Sequence, residues 1–173
     1  MKWLFIALIL SPSAFSKTVT FELEQKKKVT VTHPESWETV KDLYGIPLTV
    51  LGPYANESRP VLSILPTNLR EEKHSPKEFQ KLFEDFKKEK DEWVSGHKGT
   101  LLKYEALTLV EPRKDLKGHF IGAEFAINGI HFVERSYYLY CKSEVYNLKY
   151  SIRDEHRKYI KDLQQMIGDF KCE

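Results

Sequence analysis

The segment from residue 118 to residue 152 constrains the fold of this chain more than any other. Apolar and polar residues alternate through 118–127 and again through 130–141, and Asn128-Gly129 stands between the two runs. Alternation with a period of two marks strands with unlike faces, and Asn-Gly accepts the positive φ angles that a two-residue hairpin turn demands. The turn sets the register, with Ile127 opposite Ile130, Phe125 opposite Phe132 and Phe120 opposite Tyr137. A second tight turn at Lys142-Ser143 then puts Tyr137 opposite Leu148 and Val133 opposite Ile152 in a strand over 144–152. One face of this meander carries Phe120, Val133, Tyr137, Leu139, Leu148 and Ile152 and reads as core. The other carries His119, Glu134, Ser136, Tyr138, Tyr140, Asn147 and Lys149 and is more polar.

The rest of the chain supplies partners for that meander. Residues 18–32 alternate around Lys26-Lys27-Lys28 and read as a hairpin with a solvated loop. Ser36 is placed to cap a short helix through Leu43 that ends at Gly45, and strands over 47–51 and 60–65 flank a loop rich in Gly, Pro, Asn and Ser. Ser75, Pro76 and Glu78 form a capping box that opens a long helix. Phe79, Leu82, Phe83, Phe86 and Trp93 share its apolar stripe, Lys87 to Asp91 lie mostly off it, and Gly96 ends it. A strand over 100–110 follows, and after the meander a closing helix over 154–170, capped by Asp154, packs on the core face. Strands and helices fall in blocks, so the class is α+β: a central, mostly antiparallel sheet of about six or more strands flanked by helices, an α/β/α sandwich.

The amino terminus predicts export. Lys2, an apolar run from Trp3 to Leu10, the helix-breaking Ser11-Pro12 and then Ala14-Phe15-Ser16 have the layout of a signal peptide cleaved after Ser16. Residues 17–173 are then expected to be one globular domain, periplasmic or secreted. The apolar run is far shorter than the ~20 residues that span a bilayer, so no transmembrane segment is expected in the mature protein. A hydrophobic fraction of 41% supports a core, and a formal net charge of +2 argues against nucleic acid as a partner.

Export gives the two cysteines, Cys141 and Cys172, an oxidising compartment. The strand over 144–152 leads ~26 Å away from Cys141 at ~3.3 Å per residue, and the helix over 154–170 returns ~24 Å at ~1.5 Å per residue. The two paths nearly cancel, which predicts a disulfide, with free thiols or a redox or metal site as the minor alternatives.

The chemistry-bearing residues are sparse. The chain has six histidines but no HExxH and no paired-cysteine motif, so neither a metal nor another cofactor is expected. Glu124 lies diagonal to His131 and Arg135 on one face, which fits either a cross-strand ion pair or the site of a small secreted hydrolase or metal-dependent enzyme. His33 and His97 adjoin turn residues and read as exposed. Tyr138, Tyr140, Asn147 and Lys149, with the loop from Gly52 to Pro60, are the candidate binding residues, because tyrosine pairs a rigid apolar body with a polar tip. The competing reading is that loops or the long helix cover that face.

The layout resembles the PsbP/Mog1-like family. His33-Pro34-Glu35-Ser36-Trp37 after the opening strand, Gly52-Pro53, and Val61-Leu62-Ser63-Ile64-Leu65-Pro66 before one long helix, three long strands and a closing helix carry the resemblance. It covers nearly all of the chain after residue 16 and implies an antiparallel sheet sandwiched by helices. It also implies a non-enzymatic role without choosing among functions, and the expectation is an exported accessory or binding protein of the bacterial cell envelope whose partner is another envelope or secreted protein. No functional residue transfers from the family, and this chain lacks the lipidated cysteine of the envelope lipoproteins.

Overall fold

Strands β1 (Ser16–Glu22), β2 (Lys28–Pro34), β3 (Glu38–Leu43), β4 (Ile46–Leu51) and β5 (Val61–Pro66) come first in a computed structural model, followed by helix α1 (Pro76–Gly96). Strands β6 (Thr100–Arg113), β7 (Leu116–Ile127), β8 (Ile130–Cys141) and β9 (Glu144–Arg153) precede a 3-10 helix (Asp154–Tyr159), α2 (Ile160–Asp169) and β10 (Lys171–Cys172). The structure describes residues 16–22, 28–69, 76–142 and 144–172, without the side chains of 76–78. The signal segment before Ser16, the loop lysines Lys26 and Lys27, and the capping contacts of Ser75 with the Glu78 side chain lie outside what the structure describes.

The Asn128-Gly129 hairpin forms with Ile127 paired to Ile130, Phe125 to Phe132 and Phe120 to Tyr137. The next hairpin pairs Tyr137 with Leu148 and Val133 with Ile152. These strands sit in a seven-stranded antiparallel sheet of order β3-β4-β5-β9-β8-β7-β6, and β1-β2-β10 form a separate three-stranded sheet. Pleating gives the large sheet two different coverings. The small sheet and α2 close one face, where Val29, Val31, Leu163, Met166, Ile167 and Phe170 meet Leu48, Val50, Leu62, Ile64, Leu148 and Ile152. Helix α1 lies on the other, where Val94 and Phe86 pack with Ala123 and Phe125.

The disulfide joins the two sheets. Cys141 ends β8 in the large sheet and Cys172 ends β10 in the small one, with Cα atoms 5.8 Å apart.

Four expectations need correction. Residues 36–43 hold a strand, not a helix: Tyr44 (φ 52°) and Gly45 (φ 80°) make a two-residue turn that pairs Leu43 with Ile46. About two helical turns without a long apolar stripe do not compete with a hairpin whose β-branched Thr39 and Val40 suit a pleated surface. Trp37 is 3% exposed just before β3, its amide donating to Pro34 O at 2.9 Å. Asp154 caps no helix; its carboxylate is drawn to His131 and Arg157, and α2 begins only at Ile160. Strand β6 runs on to Arg113 and turns at Lys114-Asp115 into β7, with three register shifts that obscured its alternation. His33 is buried at 2% exposure, with Nδ1 2.9 Å from Pro34 O.

Candidate functional site

The α1 side of the sheet carries all four candidate binding residues, because Tyr138 pairs with Asn147 and Ser136 with Lys149 in successive rows. Helix α1 divides them. Phe79, in its first turn, stacks on His119 with ring centroids 3.7 Å apart and meets the edges of Tyr138 and Tyr140 at 6.5 and 6.1 Å. Both tyrosines are therefore partly buried. The Tyr138 phenol is pushed up to about 12, first by burial and then by the carboxylates of Glu134 and Glu89. The Tyr140 hydroxyl hydrogen-bonds to His119 Nδ1. Asn147 and Lys149 lie one strand further out. The Lys149 side chain is 40% exposed, and no hydrogen-bond partner among the described residues reaches Asn147 Oδ1.

A buried carboxylate lies beside this pair. Glu134 is 5% exposed and sits 2.9 Å from Lys90 Nζ and 3.2 Å from Lys149 Nζ. Lys90 crosses from α1 over the rings of Trp93 and Phe125, 4.9 and 5.1 Å from their centroids. Sequence reading placed Lys90 among solvated charges; its side chain is 11% exposed. The signal was in the spacing, since Lys90 falls four residues after Phe86 and three before Trp93, on the apolar stripe itself.

Glu124, His131 and Arg135 do share the opposite face around Val133, but they form no common site. His131 stands between two acids, with Nε2 3.3 Å from Glu124 Oε2 and Nδ1 3.0 Å from Asp154 Oδ1. Arg157 closes the ring at 2.6 Å from Asp154 and 3.3 Å from Glu124. These contacts pin the 3-10 helix to β7 and β8, and His131 Nε2 is buried beside Glu124 without a hydrogen-bond partner among the described residues. Arg135 instead pairs with Glu105, its Nε and Nη2 donating at 2.9 and 2.7 Å. The strand between them explains this: Gly122 is opposite both Glu105 and Arg135, and a Cβ there would come within 2.7 Å of Glu105 Oε2. With no side chain at 122, the acid and the base meet across β7. The bulged register of β6 kept Glu105 out of the sequence reading.

At the same end of the sheet, Ser58 in the loop over 52–60 lies 2.8 Å from His156 Nε2 and donates to Glu155 Oε1 at 3.0 Å. His156 is 1% exposed and was missed, because nothing in the sequence links residues so far apart in the chain. Among the described residues, no group of three or more His, Cys, Asp or Glu side chains is placed to hold a metal ion. No helix among them is long and apolar enough to cross a membrane.

A seven-stranded antiparallel sheet closed by a helix on one face and by a small sheet and a second helix on the other is a PsbP-like fold. The chain is similar to the solution structure of cyanobacterial PsbP (CyanoP) from Synechocystis sp. PCC 6803, with a TM-score of 0.60 at 10% identity, covering 92% of this chain and 94% of that one. It is similar also to LpqN of Mycobacterium tuberculosis, involved in cell envelope biogenesis, with a TM-score of 0.55 at 10% identity over 91% of each chain. At these identities the likeness concerns the fold. No family model and no curated protein matches the chain in sequence.

Proposed function

We propose that this is an exported, non-catalytic accessory protein of the cell envelope that binds another protein along the outer edge of α1, through Asn147 and Lys149 with Tyr138 and Tyr140 beneath. The observation that carries the binding surface is the row at β9. Lys149 is 40% exposed, the Asn147 Oδ1 in the next row is buried with no donor among the described residues, and the two tyrosines are held rigid under Phe79. A fixed row whose exposed end is the Lys149 ammonium suits recognition, because little entropy is lost when a partner docks on it. Export is supported by the leader-like residues before Lys17 and by a disulfide that an oxidising compartment would maintain. The non-catalytic reading is supported by the engagement of Glu124 and His131 with Arg157 and Asp154 and by the diversion of Arg135 to Glu105, which separates the three residues of the candidate catalytic site.

Co-purification tests the proposal. Tagged mature protein beginning at Lys17, recovered from the envelope fraction, should bring down one partner in near-stoichiometric amount, and Asn147→Arg should lose it while folding normally. Equal recovery with the variant, or retention of the uncleaved chain inside the cell, would overturn it.

A further inference from the structure

One imidazole fastens the loop between β4 and β5 to the 3-10 helix. His156 Nε2 meets Ser58 Oγ at 2.8 Å, while its Nδ1 is buried with no hydrogen-bond partner among the described residues. The Ser58 proton has a charged acceptor in Glu155 Oε1 at 3.0 Å, so Ser58 Oγ is left to accept from Nε2–H. This is the neutral imidazole with its bare nitrogen at Nδ1. A further proton has to go to Nδ1, where nothing accepts it, and the charge it brings is shut away from water.

The groups facing the ring do not offset that cost. Glu155, 3.9 Å from Nε2, favours a positive charge, whereas Arg153 on β9 and Lys158 on the 3-10 helix oppose it. Ser58 from the loop is neutral, and the Tyr159 ring lies 6.1 Å away. Burial is the largest influence and holds the imidazole below histidine's ordinary pKa.

We propose that the Ser58–His156 contact is an acid-released latch: on gaining a proton the imidazole leaves its buried seat, and the Gly52–Pro60 loop parts from the 3-10 helix. The open form binds more protons than the closed one, so the latch holds fully above histidine's ordinary pKa and weakens as pH falls below it. The 3-10 helix stays in place, because Arg157 ties it to Glu124 on β7. Arg59, next to Ser58, keeps the base of the loop tied to Glu38 on β3 at 2.6 Å. What changes is the display of Tyr54, which is 72% exposed and stacked on the Arg59 guanidinium at 4.6 Å.

Amide hydrogen exchange at residues 54–59, corrected for the intrinsic pH dependence of exchange, reads the latch. Protection should fall about tenfold between neutral pH and pH near 5 in the wild-type chain, should stay flat in His156→Gln, and should change in neither at the 3-10 helix. Equal protection at both pH values, or the same loss in the Gln variant, would overturn the proposal. Should that variant fail to fold, the wild-type His156 ring-proton titration decides. A midpoint below ~6.5 that coincides with shifts at Tyr54 supports the latch, and a midpoint at or above it without them rejects it.

Discussion

Replacing Cys141 and Cys172 together with serine is expected to lower the stability of the folded chain by about 3 to 4 kcal/mol, because the bridge closes a loop over a sequence separation of 31 residues. For a domain of this length that corresponds to a fall in Tm of about 10 °C. The loss should begin locally. Lys171 and Cys172 pair with Thr30 and Val29, so without the bridge this two-residue strand is held only by its ladder and by Phe170, which is buried between α2 and Tyr146. Hydrogen exchange should therefore rise first at Val29 and Thr30, where the small sheet loses its third strand, and later across β8. Thermal unfolding with and without reductant measures the effect. A change below about 1 kcal/mol would show that the two sheets hold together without their covalent link.

The second large effect is expected at Lys90. Changing it to Met removes the ammonium 2.9 Å from Glu134 and leaves that carboxylate, 5% exposed, with Lys149 alone. Breaking a buried pair from one side typically costs 3–5 kcal/mol, and the surviving lysine places this variant near the lower end, at about 3 kcal/mol. The diagnostic is non-additivity: Lys90→Met with Glu134→Leu should be more stable than Lys90→Met alone, since no unpaired carboxylate then remains under α1. Denaturant melts of Lys90→Met, Glu134→Leu and the double variant check it. A single-variant cost under about 0.5 kcal/mol would mean that Lys90 behaves as the surface charge it resembles in the sequence.

What could be read in advance follows from which forces are local. Asn128-Gly129 fixes a hairpin through backbone preference alone, and the strands on either side inherit the register, so the pairings of Phe120, Phe125, Val133 and Tyr137 were legible. The cysteine pair was legible because path lengths along a strand and a helix are additive. Residues 36–43 were misread because Tyr44 adopts a positive φ that the turn imposes and the residue type does not advertise. Among the candidate residues, the face of each side chain was right and its partner often was not. Arg135 reaches Glu105 only because Gly122 opens the space between them, and the β6 register that brings Glu105 there contains bulges no alternation pattern shows. Ser58 and His156 meet through the loop path alone, which periodicity cannot report.

The central claim, that the row at the edge of α1 is where another envelope protein binds, is tested most directly by a photoreactive residue at position 149 in the native envelope, with a control at Lys88, whose side chain is 77% exposed on the outer surface of α1. One protein captured from position 149 and not from 88, and competed away by the purified unlabelled chain but not by its Asn147→Arg variant, is the predicted result. Capture of nothing, or of the same species from both positions, would contradict it.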